Sequence, residues 1–239
     1  MFSRRLFLAI TGSTLLLPRL TWPADPEAPS MLDHILLGCS DRDRGIDLVE
    51  EHTGVRAAIG GVHPGRGTCN ALLSLGQRRY LEIIAPDPAQ TQVPDFAASL
   101  VQRLKSLSTP RLVGWAAHPG DLDSLAKRLS ASGIVFDGPR AGSRARPDGR
   151  MLKWRTLNLS HDLDGVLPFF IEWNANSQHP STDAPAGCQL ENFVIVDPEP
   201  AALKKTCERL GLDVRIEAGK QRQIAARIAG PDRTYEVAS

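Results

Sequence analysis

Apolar residues along this chain recur with two different periods. Dense runs of about six to nine residues, bounded by Gly, Pro, Asp or Asn, predict buried strands at 32–39, 69–75, 79–85, 112–117, 152–159, 167–173 and 189–196. A helical stripe predicts helices at 42–53 (Ile46, Leu48, Val49), 96–107, 122–132 (Leu122, Leu125, Ala126, Leu129) and 198–210. Gly54, Gly133 and Gly211 stand where three of these helices should stop. Shorter strands are expected at 55–59, 134–136, 212–216, 223–228 and 234–237, and Gly76-Gln77 marks a hairpin.

Strand, helix and three strands follow one another three times, over 31–87, 111–175 and 188–239. The spacing indicates an α+β fold of tandem βαβββ modules, two of them plus a third βαβββ-like one, and not a solenoid. Linkers at 86–109 and 174–187 separate the copies; the second is rich in Ser, Asn, Pro and Ala. The Arg- and Gly-rich stretch before Leu152 reads as a polar loop.

Three of the strands carry a side chain that a greasy strand should not. They are Leu32-Asp33-His34-Ile35-Leu36-Leu37, Tyr80-Leu81-Glu82-Ile83-Ile84-Ala85 and Phe169-Phe170-Ile171-Glu172-Trp173. A buried carboxylate is costly unless it meets a cation, a proton or hydrogen-bond donors. The simplest shared partner for His34, Glu82 and Glu172 is one divalent metal ion, with Mn, Ni, Fe, Co and Zn all compatible with such donors. Arg78 is the alternative partner for Glu82, since strand alternation puts both on one face. The loop 63–68 can bring His63 or Arg66 over a cavity mouth to bind an anionic group, and Asn70 begins the strand behind it. Arg146 is a candidate carboxylate clamp, whereas Arg144 and Arg150 read as solvated. Trp154 and Trp173 are candidate walls of an apolar pocket. His179 is expected in the linker beyond the metal; His52, His118 and His161 read as surface or turn residues.

A net charge of +1 with dispersed Lys and Arg gives no nucleic-acid footprint. No G-x-G-x-x-G joins a strand to a helix, and no G-x-S-x-G occurs, so nucleotide-fingerprint and serine-hydrolase chemistries lack their motifs. Cys39, Cys69, Cys188 and Cys207 have no C-x-x-C spacing, and Cys39 and Cys69 read as small buried thiols. Arg4-Arg5 followed by a mild apolar run over 6–17 and Pro18-Arg19 resembles a bacterial twin-arginine export signal over 1–24. It implies a periplasmic or otherwise exported protein, anchored if the segment is not cleaved. The run is too short for an ordinary transmembrane helix.

The tandem βαβββ pattern resembles the vicinal oxygen chelate superfamily and, within it, the glyoxalase-like domain family. The resemblance covers 31–237. It is carried by Leu32-Asp33-His34, His63-Pro64-Gly65-Arg66-Gly67-Thr68 with Asn70-Ala71-Leu72, Tyr80-Leu81-Glu82, Arg146-Pro147-Asp148-Gly149, and Gly165-Val166-Leu167-Pro168-Phe169-Phe170-Ile171-Glu172-Trp173. It implies that units one and two close into a half-barrel around one divalent metal held by His34, Glu82 and Glu172. The fourth superfamily position falls on Gly114, which has no ligating side chain and departs from the four-ligand pattern. The implied activity is that of a metal-dependent lyase or isomerase on a small substrate with vicinal oxygens, with Glu82 or Glu172 moving the proton. The alternative is a non-catalytic binding or sequestration protein of the bleomycin-resistance type. Convergence of His34, Glu82 and Glu172 would favour the enzyme; pairing of the two glutamates with arginines would favour binding. Modules of this superfamily pair within one chain or across two, so the resemblance leaves a homodimer open.

Overall fold

The computed structural model describes residues 22, 23 and 27–239. The export signal expected over 1–24 lies almost wholly outside them. Among the described residues no helix is long and apolar enough to cross a membrane.

The first unit runs β1 (Leu32–Gly38), α1 (Arg42–Thr53), β2 (Ala58–His63), β3 (Thr68–Ser74) and β4 (Tyr80–Pro86). Helix α1 starts where the Asp41 carboxylate accepts from the Arg44 amide and stops where Gly54 turns left-handed at φ 78°. After α2 (Asp95–Lys105), the second unit runs β5 (Arg111–Ala117), α3 (Leu122–Ala131), β6 (Phe136–Ala145), β7 (Met151–Leu159) and β8 (Phe169–Trp173). In each unit the first strand pairs parallel with the last, and β1 pairs antiparallel with β5. The two units therefore share one eight-stranded sheet in the order β2-β3-β4-β1-β5-β8-β7-β6.

Strand β6 corrects the sequence reading. Ten residues form a strand against β7 where a polar loop was expected beyond residue 136. Its composition is polar because it is an edge strand and half of its side chains face solvent. Strand β2 is likewise displaced, beginning at Ala58 and continuing through Gly60 and Gly61. Those glycines let the two edges of the curled sheet meet. Gly61 has φ 140°, and a Cβ there would lie 2.9 Å from the Ala145 carbonyl. Arg144 donates through Nη1 to the Gly60 carbonyl across the seam.

The third unit follows the same element order: β9 (Gln189–Asp197), α4 (Pro200–Leu210), β10 (Arg215–Ala218), β11 (Gln223–Ala229) and β12 (Thr234–Ala238). Its pairing differs, because β9 lies between β10 and β11 in a separate four-stranded sheet. It packs on the outer face of the large sheet, beside α1 and α3. There the fully buried Trp115 of β5 lies 5.0 Å from Phe193 of β9 and donates to the Val166 carbonyl at 2.8 Å. The outer face of β1 and β5 and the third unit thus form one continuous core. The inner face is partly filled by α2, whose Leu100 and Leu104, with Leu107 beyond it, pack on Leu36, Ile84, Val113 and Phe169. All four cysteines are buried and unpaired.

Because Trp115 joins the two sheets, Trp115→Ala should cost about 3–5 kcal/mol. Trp115→Phe, which keeps the ring contact but leaves the Val166 carbonyl unpaired, should cost about 1–3 kcal/mol. Urea unfolding of both variants checks the ranking; equal midpoints would show that the ring does not join the sheets.

Candidate functional site

The inner face beyond α2 carries a connected set of buried polar side chains. Asp33, on β1, is fully buried and accepts from three parts of the chain. His34 Nδ1 lies 2.7 Å from its Oδ1, Trp173 Nε1 of β8 donates to Oδ2 at 3.1 Å, and His179 Nε2 of the 174–187 linker lies 3.1 Å from Oδ2. The His179 Nδ1 accepts from the Ser181 amide at 3.2 Å, so its Nε2 carries the proton given to Asp33. Burial alone would raise the Asp33 carboxyl, but the hydrogen bonds from His179 and His34 outweigh it and hold it far below the usual carboxylate range.

With Nδ1 bonded to Asp33, the His34 ring presents Nε2 to the inner face, 3.4 Å from Glu82 Oε2. Strand pairing puts His34 opposite Tyr80, whose ring stacks on the imidazole at 4.4 Å, and Phe169 meets it edge-on at 5.5 Å. Glu82 is 7% exposed. Asn70, which lies on the neighbouring β3, donates to its Oε1 at 2.7 Å, and His63 Nε2 stands 3.5 Å from the same oxygen. The remaining His63 nitrogen, Nδ1, pairs with Thr68 Oγ1 at 2.9 Å. Burial pushes Glu82 up, yet the neighbouring His63 and His34 and the Asn70 bond bring it net below its usual range. Burial lowers His63, against the pull of Glu82.

The expected convergence of His34, Glu82 and Glu172 is not present. Glu172 shares its strand face with Phe170, which is buried in the outer core. Its carboxylate accepts from the Leu122 amide at the start of α3 at 2.9 Å and from Arg155 at 3.0 Å. On the inner face β8 presents Phe169 and Trp173, and Gly114 and Ala116 of β5 pair with Leu36 and His34. The second unit thus supplies no ligand to the inner face. Among the described residues no three His, Cys, Asp or Glu side chains are grouped as a metal-ligand set. The divalent ion expected on His34, Glu82 and Glu172 therefore does not fit this arrangement.

Other candidates also move. Arg66 is exposed on the loop after β2. Arg146 donates through Nη2 to Asp183 of the linker, and its Nη1 is buried without a partner among the described residues. Trp154 packs 5.6 Å from Trp173. With Arg155 and Glu172 it borders a groove of about 370 Å³ at the sheet margin, whose acid and base are already paired. Of the residues expected near the site, His34, His63, Asn70, Glu82 and Trp173 are brought together. Three that the sequence reading set aside join them: Asp33, His179 and Arg144, which is 4% exposed. Asp33 adjoins His34 in a strand apolar on both sides, a signal that was legible. Arg144 and His179 lie in stretches whose polarity gave none.

A family model for a glyoxalase-like domain matches residues 32–211. No curated protein matches the chain in sequence. Among solved structures, a hypothetical protein from Staphylococcus aureus superposes with a TM-score of 0.65 at 17% identity, over 86% of this chain and 97% of that one. Methylmalonyl-CoA epimerase from Mycobacterium tuberculosis gives a TM-score of 0.41 at 19% identity, over 64% of this chain and 91% of that one. The first likeness bears on the fold alone, and the second is too partial to bear on anything further. The family match spans most of the chain and both units of the large sheet, and the chain belongs to the glyoxalase-like domain family.

Proposed function

We propose that this protein is a glyoxalase-like enzyme of the isomerase or lyase type that moves a proton on a small oxygen-bearing molecule at the inner face, with Glu82 as the base. The observation that carries this reading is the pairing of His34 with Glu82. With its Nδ1 proton given to Asp33, His34 turns its second ring nitrogen toward a carboxylate oxygen. An unprotonated nitrogen and a carboxylate oxygen both only accept, so the two hold a proton or a cation in common. The lowered Glu82 carboxyl is ionised, so it is free to accept a proton from carbon and return it.

In the step inferred, Glu82 accepts the proton of a C–H adjacent to a carbonyl. The C–H electron pair becomes the C=C bond of an enediolate-like anion, and the carbonyl oxygen takes the charge. Return of the proton to the other face of the carbon, or to the neighbouring carbon, completes an isomerisation. Asn70 fixes one Glu82 oxygen, and Asp33 fixes the His34 ring. Phe169, Tyr80 and Trp173 exclude water, which strengthens every charge interaction inside.

A binding or sequestration role is the second reading. It is favoured by the turn of Glu172 toward Arg155, which leaves the second unit contributing aromatic walls and no acid. Hydrogen–deuterium exchange at carbon separates the two. A panel of small 2-oxo and 2-hydroxy acids and aldehydes in D2O, followed by proton NMR, should show exchange with wild type on at least one member. Glu82→Gln should slow it by roughly 10²–10⁴-fold. A ligand that binds without exchange would leave only sequestration.

Glu172→Gln should leave exchange and metal content as in wild type while lowering the melting temperature by a few degrees, since its partners are structural. Selective loss of a bound metal in Glu172→Gln, measured by mass spectrometry, would contradict its placement on the outer face.

Asp33 gives a pH dependence of defined sign. Its folded-state pKa is depressed, so its contribution to stability is complete above the unfolded-state value near 3.8 and is lost as pH falls below it. Thermal melts from pH 7 to pH 2.5 should show wild type losing stability over the acid limb more steeply than Asp33→Asn. Identical slopes would mean that Asp33 is not held ionised by its three donors.

A further inference from the structure

Arg144 is the least explained charge on the inner face. It is 4% exposed, and its one hydrogen bond to the described residues runs from Nη1 to the Gly60 carbonyl. None of the described carboxylates lies within 4.0 Å of it, and Glu82 is the carboxylate that acts on it most. Nε and Nη2 therefore have no acceptor among the described residues. A guanidinium this enclosed, with one hydrogen bond among the described residues, has donors left over for an anion. The side chain is also fixed in place, because the seam between β2 and β6 closes on it at Gly60 and Gly61.

A buried polar atom lies beside the same glycine. Asn70 is 2% exposed and its Oδ1 is buried without a donor among the described residues. The bond from Nδ2 to the Glu82 carboxylate fixes which way the amide points, so Oδ1 is an acceptor. Oδ1 packs against Gly60 so closely that a Cβ at that position would not fit. The seam therefore offers unpaired N–H donors of a cation and, next to Gly60, one unpaired acceptor, adjoining the Glu82 carboxylate.

We propose that Arg144 and Asn70 form the substrate subsite, Arg144 taking a carboxylate and Asn70 Oδ1 taking a hydroxyl on the adjacent carbon. The ligand class is a small 2-hydroxy carboxylic acid, or the enediol form of a 2-oxo acid. A guanidinium matches a carboxylate in charge and in fork geometry. The amide oxygen demands a donor, which a hydroxyl has and a methyl lacks. The inference rests on the inner face being the site, and it adds the chemical class that the site selects.

The test uses the full chain and four probes: L-lactate, D-lactate, propionate and lactamide, titrated calorimetrically. One lactate enantiomer should bind, with propionate weaker by roughly 10-fold and lactamide without measurable binding. Arg144→Met should weaken lactate roughly 10- to 100-fold, with Arg144→Lys falling between. Asn70→Leu should erase the preference for lactate over propionate. Circular dichroism melts confirm that each variant is folded. If Arg144→Met unfolds because the seam opens, the Arg144→Lys series and the lactate–lactamide comparison still decide. Lactamide binding as tightly as lactate, no lactate binding at all, or a folded Arg144→Met indistinguishable from wild type would overturn the proposal. Glu82→Gln keeps this failure separate from that of the proton-transfer reading: it should retain lactate binding while losing exchange at carbon. Lactate bound by wild type, with no member of the panel exchanging, would leave the subsite standing and remove the enzyme.

Discussion

The Asp33 carboxylate is the constraint on which the inner face depends. It is fully buried, and it is tolerable there because three donors from three segments converge on it: His34 beside it on β1, Trp173 at the end of β8 and His179 in the linker that follows. Each donor is thereby fixed in turn. The His34 ring can present only Nε2 to Glu82, Trp173 is held as a wall, and the linker is drawn across one end of the sheet. The carboxylate thus joins unit one to unit two at the place where the chemistry is expected, without itself facing a substrate.

The two units are alike in topology and unlike in chemistry. Both pair first strand with last, and both contribute to one sheet about the β1–β5 pair. Yet His34, His63, Asn70 and Glu82 all come from unit one. On its first and last strands unit two instead has Gly114, Ala116, Phe169 and Trp173, and its one charged contribution among the described residues is Arg144 of β6. Helix α2 adds to the asymmetry by filling the apolar half of the inner face, which leaves a small polar remainder enclosed by rings.

Much of the fold was legible because its signals are local. Asp41 and Gly54 bound α1, apolar density marked the central strands, the recurring βαβββ order marked the units, and the family resemblance implied that two of them join. The errors arose where cross-strand register or exposure decides. In Phe169–Trp173 the parity of side chains is clear from sequence, but which parity faces inward is not. Assigning Glu172 to the inner face placed Phe170 wrongly with it. The base that pairs with Glu172 lies seventeen residues earlier on the adjacent strand, a proximity that only pairing reveals. Strand β6 was read as loop because an edge strand need not be apolar, and Arg144 was dismissed along with it. His179 was placed in a linker correctly and judged remote, since nothing in a polar loop says that it folds back on a buried acid.

The seam at Gly60–Gly61 and Arg144–Ala145 has a further consequence for how this molecule behaves among others. An open sheet leaves a row of amides and carbonyls at each margin, a template onto which another chain can add a strand. Here the two margins of the large sheet turn toward one another and are clipped by a guanidinium on a carbonyl. The glycines that permit this approach therefore also guard against aggregation. A bulky residue at Gly61 would both disturb the inner face and uncover two sticky edges, so loss of solubility would accompany the disturbance there.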